Sequence, residues 1–170
     1  MLPRALLVIA WIVVSATTVV AQGIGSKAKE YFRAGYMASM AREWDSAVSL
    51  FTKAVELDPV NPEVYLQRAA CFQMADRIDE AIADYEKTLA LKPDYYLALE
   101  YLAKLYEIKG EYEKAVNLYA RALPLVSDSK WRSVVKWWMS QAQSRIQPAR
   151  HKDDNAVERV RRSRTNDSRR

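Results

Sequence analysis

Few side chains in this sequence could do covalent chemistry. It has one Cys, Cys71, and one His, His151. A lone thiol excludes an internal disulfide and a zinc site built on cysteines. A lone imidazole leaves a histidine-rich metal site or a Ser-His-Asp triad almost without raw material. No Gly-rich phosphate loop, no nucleophile elbow and no H-E-x-x-H is found. Cys71 follows Ala69 and Ala70, which reads as a buried, inert thiol. His151 reads as solvated. Asp79, Glu80 and Asp84 lie on a helix among basic residues and read as a solvated face. No catalytic residue, metal or cofactor is expected, and the chain is not expected to be an enzyme.

The elements that could position a binding surface are helices. Among 170 residues there are only 4 Gly and 6 Pro, and half are hydrophobic, which favours long uninterrupted elements over a turn-rich or disordered chain. The net charge of +5 is uneven. Residues 1–144 hold 17 basic and 17 acidic side chains; residues 145–170 hold 9 and 4. The basic excess therefore describes a tail rather than a basic folded surface, and nucleic acid is not expected as a partner. After Pro148 the periodic signal stops, so 147–170 is expected to be a disordered basic tail. Its Arg159, Arg161, Arg162, Arg164, Arg169 and Arg170 could contact an anionic envelope or lipid surface. Asp153, Asp154, Glu158 and Asp167, interspersed among them, fit a merely solubilising tail.

At the other end, Arg4 precedes ten apolar residues, Ala5 to Val14, and Val19-Val20-Ala21 precedes Gln22. A charged start, a short apolar core and small residues before a cut describe a secretory signal peptide over 1–21. Export to a periplasm or beyond the cell is the expectation, with 22–27 as a short linker. The alternative is a membrane anchor over 5–25, which is long enough to span a bilayer.

A period of 34 organises the middle. Ala47, Ala81 and Ala115 keep it, as do Phe51, Tyr85 and Tyr119, and Leu57, Leu91 and Leu125. Gly35, Ala69 and Ala103 keep it too, and Pro59 and Pro93 are one period apart. The repeats are 28–61, 62–95 and 96–129, each reading as two helices. Tyr31, Ala34, Gly35 and Ala38 share one helical face; Ala47, Val48, Phe51, Ala54 and Val55 share another. Turns fall at Arg42–Asp45, near Asp76-Arg77 and at Gly110. Two short helices cannot bury their apolar faces alone, so neighbouring pairs must stack. Small residues then mark close crossings, and the rings fill the space beside them. After Ser127-Asp128-Ser129, an N-cap cluster, Trp131, Val134, Val135, Trp138, Met139, Ala142 and Ile146 form an apolar stripe. Residues 130–146 read as a capping helix, with Trp137 off the stripe. The three tryptophans could instead form a docking surface.

These columns resemble the tetratricopeptide repeat family. Tyr31, Ala34-Gly35, Ala47, Phe51, Ala54 and Pro59 carry the likeness in the first repeat. Tyr65, Ala69, Phe72, Ala81, Tyr85 and Pro93 carry it in the second; Leu99, Leu102-Ala103, Tyr106, Ala115, Tyr119 and Ala122 in the third. Ala38, Arg68, Thr88 and Ser127 depart from the pattern, and Arg68 is expected at an open seam. The resemblance implies an all-α, helix-turn-helix repeat superhelix (an α-solenoid) with a concave groove lined by the first helices. On this chain that groove is Phe32, Tyr36, Ser39, Leu66, Ala70, Gln73, Leu97, Glu100, Lys104 and Glu107. Some members clamp a partner's C-terminal carboxylate with Lys, Asn and Arg. Here Phe32, Tyr36, Gln67, Leu97 and Tyr101 stand at those positions, so the clamp is absent. The expected function is a non-catalytic adaptor that binds a protein or peptide through apolar anchors. The alternative is a tether to a membrane surface or polyanion through the tail.

Overall fold

The structure, a computed structural model, describes residues 25–146. The expected signal segment or anchor and the basic tail lie outside these residues, apart from Gly25. Those described fall into two compact units, one ending at Pro93 and one beginning at Asp94. The first holds α1 (25–40), α2 (Trp44–Leu57), α3 (Pro62–Met74) and α4 (Ile78–Leu91). The second holds α5 (Tyr96–Ile108), α6 (Tyr112–Ala122), a single 3-10 turn at Leu123–Leu125 and α7 (129–146). Residues 25–27, expected in a linker, are already helical.

Each pair of helices meets at the small residues. Ala47, Ala69, Ala81, Ala103 and Ala115 are fully buried, and so are Phe51 and Tyr119, with Tyr85 1% exposed. Gly35 shows why size matters. A Cβ there would lie 3.0 Å from two atoms of the Phe51 ring. That ring in turn lies 5.6 Å from Phe32, tilted by 58°.

The turns inside the three pairs are copies of one another. Glu43, Arg77 and Glu111 donate their N–H to the carbonyls of Ala38, Phe72 and Tyr106, and the residue before each donates to Ser39, Gln73 and Glu107. This double bond pattern is a Schellman ending, which demands a left-handed residue after the helix. Gly110 supplies it at φ 75°, but Arg42 and Asp76 adopt φ 61° and 59°.

Helix starts follow their local chemistry. The Asn61 side chain accepts from the N–H of Glu63, with Pro62 opening α3. Asp128 accepts from the N–H of Trp131 and so caps α7.

Two expectations are corrected. Arg68 does not lie at an open seam, and Asp84 is not on a solvated face. Nε of Arg68 donates to Asp84 at 2.6 Å and a terminal nitrogen donates at 2.8 Å. The other terminal nitrogen donates to Thr52 at 3.1 Å. Asp84 is 6% exposed. The guanidinium is also 5.6 Å from the Tyr65 ring and 5.7 Å from Phe72. Its bond to Asp84 raises its pKa further. Arg68 therefore ties α3 to both α2 and α4 inside the first unit. Asp79 and Glu80 are exposed, as expected. Thr88, which replaces the pattern's alanine, is buried because its hydroxyl bonds back to the Asp84 carbonyl at 2.9 Å.

Cys71 is buried, and burial pushes its thiol up to about 11 from 9.0. Thiolate is the reactive form, so the native chain should alkylate about a hundredfold more slowly than the urea-unfolded chain at neutral pH. The same shift has a sign for stability. The unfolded thiol ionises first, so the contribution of Cys71 is intact below pH 9 and falls between 9 and about 11. Alkylation rates with and without urea check the first expectation.

Denaturant titration checks three more. Arg42→Gly and Asp76→Gly should each stabilise by about 0.5–1 kcal/mol, because glycine removes the left-handed strain. Gly110→Ala should cost about 1 kcal/mol. Asp84→Ala should cost about 3–5 kcal/mol by stranding a buried charge, with most of that recovered in an Arg68→Met/Asp84→Leu pair.

Candidate functional site

The first helix of each pair carries the side chains expected to meet a partner. In the first unit these come from α1 and α3. Phe32 is half-buried on Phe51, while Tyr36 is 45% exposed. The Ser39 hydroxyl turns back to the Tyr36 carbonyl at 2.7 Å. Ala70 and Gln73 are half-buried. Leu66 differs from expectation: it is 4% exposed and belongs to the core. Gln67, at a clamp position, donates to Glu63 at 2.8 Å. A cavity of about 100 Å³ opens beside Ala28, Phe32, Asn61 and Val64.

In the second unit the face comes from α5 and is closed on one side by α7. Leu97 is 39% exposed, but Glu100 is only 6% exposed, which also departs from an open lining. The Lys104 ammonium donates to Glu100 and lies 4.2 Å from the Trp138 ring centre. Trp138 stands edge-on to Trp131 at 5.5 Å, and 6.0 Å from Tyr119. The Trp131 indole N–H donates to the Tyr96 hydroxyl. Burial, helped by Glu100 close by, holds the Tyr96 hydroxyl well above the usual phenol range. Trp131, expected within the apolar stripe, is 41% exposed, and Trp137 is 59% exposed. The tryptophans thus divide: Trp138 seals α7 onto α5 and α6, and Trp137 faces solvent.

Two features of these faces follow the period of 34 and went unread in the sequence. The first is a hydroxyl anchor. Tyr85 donates to Gln73 at 3.2 Å, and Tyr119 donates to Glu107 at 2.8 Å. Each core ring thereby fixes a polar side chain on the partner-facing helix. Burial and the Glu107 bond hold the Tyr119 hydroxyl firmly protonated. The second is an apolar position left exposed in each repeat. Met40, Met74 and Ile108 are one period apart and are 69%, 60% and 69% exposed. Met37, 70% exposed, adds to it in the first unit. Periodicity alone could have found the second, since Met, Met and Ile stand in phase.

No group of His, Cys, Asp and Glu suited to a metal ion occurs among the described residues. No helix among them is long and apolar enough to cross a membrane.

Comparison with known proteins agrees with this architecture. Two family models described as tetratricopeptide repeat match residues 73–130 and 50–83. A protein STIP1 homolog of Dictyostelium discoideum is 36% identical over 90 residues, 52% of this chain and 16% of that protein. Heat shock protein STI1 of Saccharomyces cerevisiae is 29% identical over 104 residues, 61% of this chain and 18% of that protein. The chain thus spans less than a fifth of these relatives. Among solved structures, the first tetratricopeptide domain of Spaghetti (RPAP3), bound to the HSP90 peptide SRMEEVD, superposes with a TM-score of 0.65. It is 23% identical and covers 71% of this chain and 95% of its own. The fold class is all-α, built of helix-turn-helix repeats, and residues 50–130 are tetratricopeptide repeats.

The hydroxyl anchors set an order of effects. Tyr85→Phe should cost about 1 kcal/mol, a neutral hydrogen bond. Tyr119→Phe should cost more, about 1.5–3 kcal/mol, because its acceptor is a carboxylate. Equal losses in denaturant titration would contradict that order.

Proposed function

We propose that this chain is a non-catalytic protein-interaction module that binds an extended or helical peptide through apolar anchors. One observation carries the reading. Large apolar side chains stay exposed at one register of each first helix, at Met40, Met74 and Ile108, with Tyr36 and Met37 beside the first. A folded chain gains nothing by exposing them, whereas a partner's apolar side chains do gain by covering them. Methionine suits such a face because its flexible side chain reshapes around different partners. A peptide ligand also agrees with the SRMEEVD peptide bound to the similar domain.

The chemistry of the ligand differs from that peptide's. Phe32, Tyr36, Gln67, Leu97 and Tyr101 occupy the positions where clamp-bearing members place Lys, Asn and Arg. None of the five carries a positive charge to form an ion pair with a terminal carboxylate. The ligand is therefore read through its apolar residues rather than through an acidic end. The charged N-terminal start and apolar run support an exported protein, or one anchored through 5–25. Sequencing the N-terminus of material from its native cell tests this: a chain starting at Gln22 supports cleavage, and one starting at Met1 refutes it.

Peptide binding has a direct test. A Met40→Lys/Met74→Lys variant should lose about tenfold or more in affinity for peptides selected on the full chain by display, with its helical circular dichroism intact. SRMEEVD should show no saturable binding below about 1 mM. Micromolar binding of SRMEEVD, lost when its terminal carboxylate is amidated, would overturn the apolar-anchor reading.

A further inference from the structure

We infer that the unit formed by α5, α6 and α7 holds a subsite for a basic side chain, a lysine or arginine of the partner peptide, with Glu107 as its counter-charge. The inference rests on the peptide-binding reading above and adds the chemistry of one position.

The subsite is a cavity of about 230 Å³ lined by Glu107, Ile108, Tyr112, Gln141 and Arg145. Three elements contribute to it, so its shape does not depend on one loop. Glu107 is half-buried and held in place: its Oε2 accepts from the Tyr119 hydroxyl at 2.8 Å, and Tyr119 is fully buried. Yet it forms no ion pair with a Lys or Arg among the described residues. A carboxylate partly removed from water and without a direct ion pair among the described residues gains from an incoming cation.

The same helix shows how this unit treats a cation. Two turns earlier, Glu100 binds the Lys104 ammonium, and Trp138 covers it at 4.2 Å. Carboxylate and aromatic face act together. Glu107 has a matching ring in Tyr112, and the exposed Arg145 already places its guanidinium 5.9 Å from that ring centre. Arg145 thus marks the ring as a cation surface. It also acts as an internal rival that a ligand's cation must displace or share with. The carboxylate is particular to this repeat, because Ser39 and Gln73 stand at the same register in the other two.

The test is an NMR titration of the full-length chain with acetyl-argininamide, and with acetyl-glutaminamide and acetate as controls. Acetyl-argininamide should shift the amides of Ile108, Tyr112 and Gln141 saturably, and the controls should not. Glu107→Gln keeps an acceptor for Tyr119 but loses the charge, and should weaken binding about tenfold. Arg145→Gln should tighten it severalfold, a gain that a purely structural role would not produce. Equal shifts with acetyl-glutaminamide, saturable acetate binding, or an unchanged affinity in Glu107→Gln would each overturn the inference. The probe has no apolar anchor, so Met40→Lys/Met74→Lys should leave its binding intact. A failure here is therefore distinguishable from a failure of peptide binding itself.

Discussion

The structure depends on how closely two helices can approach. Within each pair a small residue on one helix faces an aromatic ring on the other, and Gly35 against Phe51 sets the limit. Ala69 and Ala103 hold the same register as Gly35, and Tyr85 and Tyr119 the same as Phe51. Such a contact leaves no slack, since a close-packed interior answers an added methyl with strain. It also fixes the rotation of the first helix. Once Ala69 faces inward, Met74, five residues on, lies about 140° round the helix and points away from the crossing, while Gln73 at i+4 stays beside Ala69 within reach of the Tyr85 hydroxyl. The outward face is thus a geometric consequence of the crossing.

That dependence explains what was legible in the sequence. The helix pairs were readable because steric demands repeat every 34 residues and leave the same residue types behind. Burial of Ala47, Phe51 and Tyr85 follows from those columns. Arg68 and Asp84 were misread for a physical reason. Each looks like a surface residue alone, and only their pairing across two helices makes burial tolerable. Sixteen positions separate them, and no periodic pattern links a charge on one helix to its partner on the next. Of the expected face, Tyr36 and Leu97 remain accessible, while Leu66 and Glu100 are inside. Helical spacing gives the direction of a side chain but not how much neighbouring elements cover it.

The two units use different chemistry on their corresponding faces. The first presents Tyr36, Met37, Met40 and Met74, apolar and largely exposed. The second presents Glu100, Lys104 and Glu107 among aromatic rings, with the charges held in place by hydrogen bonds. The first face is adaptable, because its side chains lack fixed partners. The second is preorganised, which lowers the ordering cost of recognition and narrows what it accepts.

The tyrosine hydroxyls have a consequence for how such repeats can change. In the second and third repeats a core ring and a surface polar group share one hydrogen bond, Tyr85 with Gln73 and Tyr119 with Glu107. Shortening Glu107 would strand the buried Tyr119 hydroxyl, so a new surface chemistry at that register first needs a different ring beneath it. The first repeat displays the alternative solution: Phe51 has no hydroxyl, and Ser39 satisfies itself on the Tyr36 carbonyl. Diversification of the outer face is therefore channelled through the interior, and the two positions form a single heritable choice rather than two independent ones.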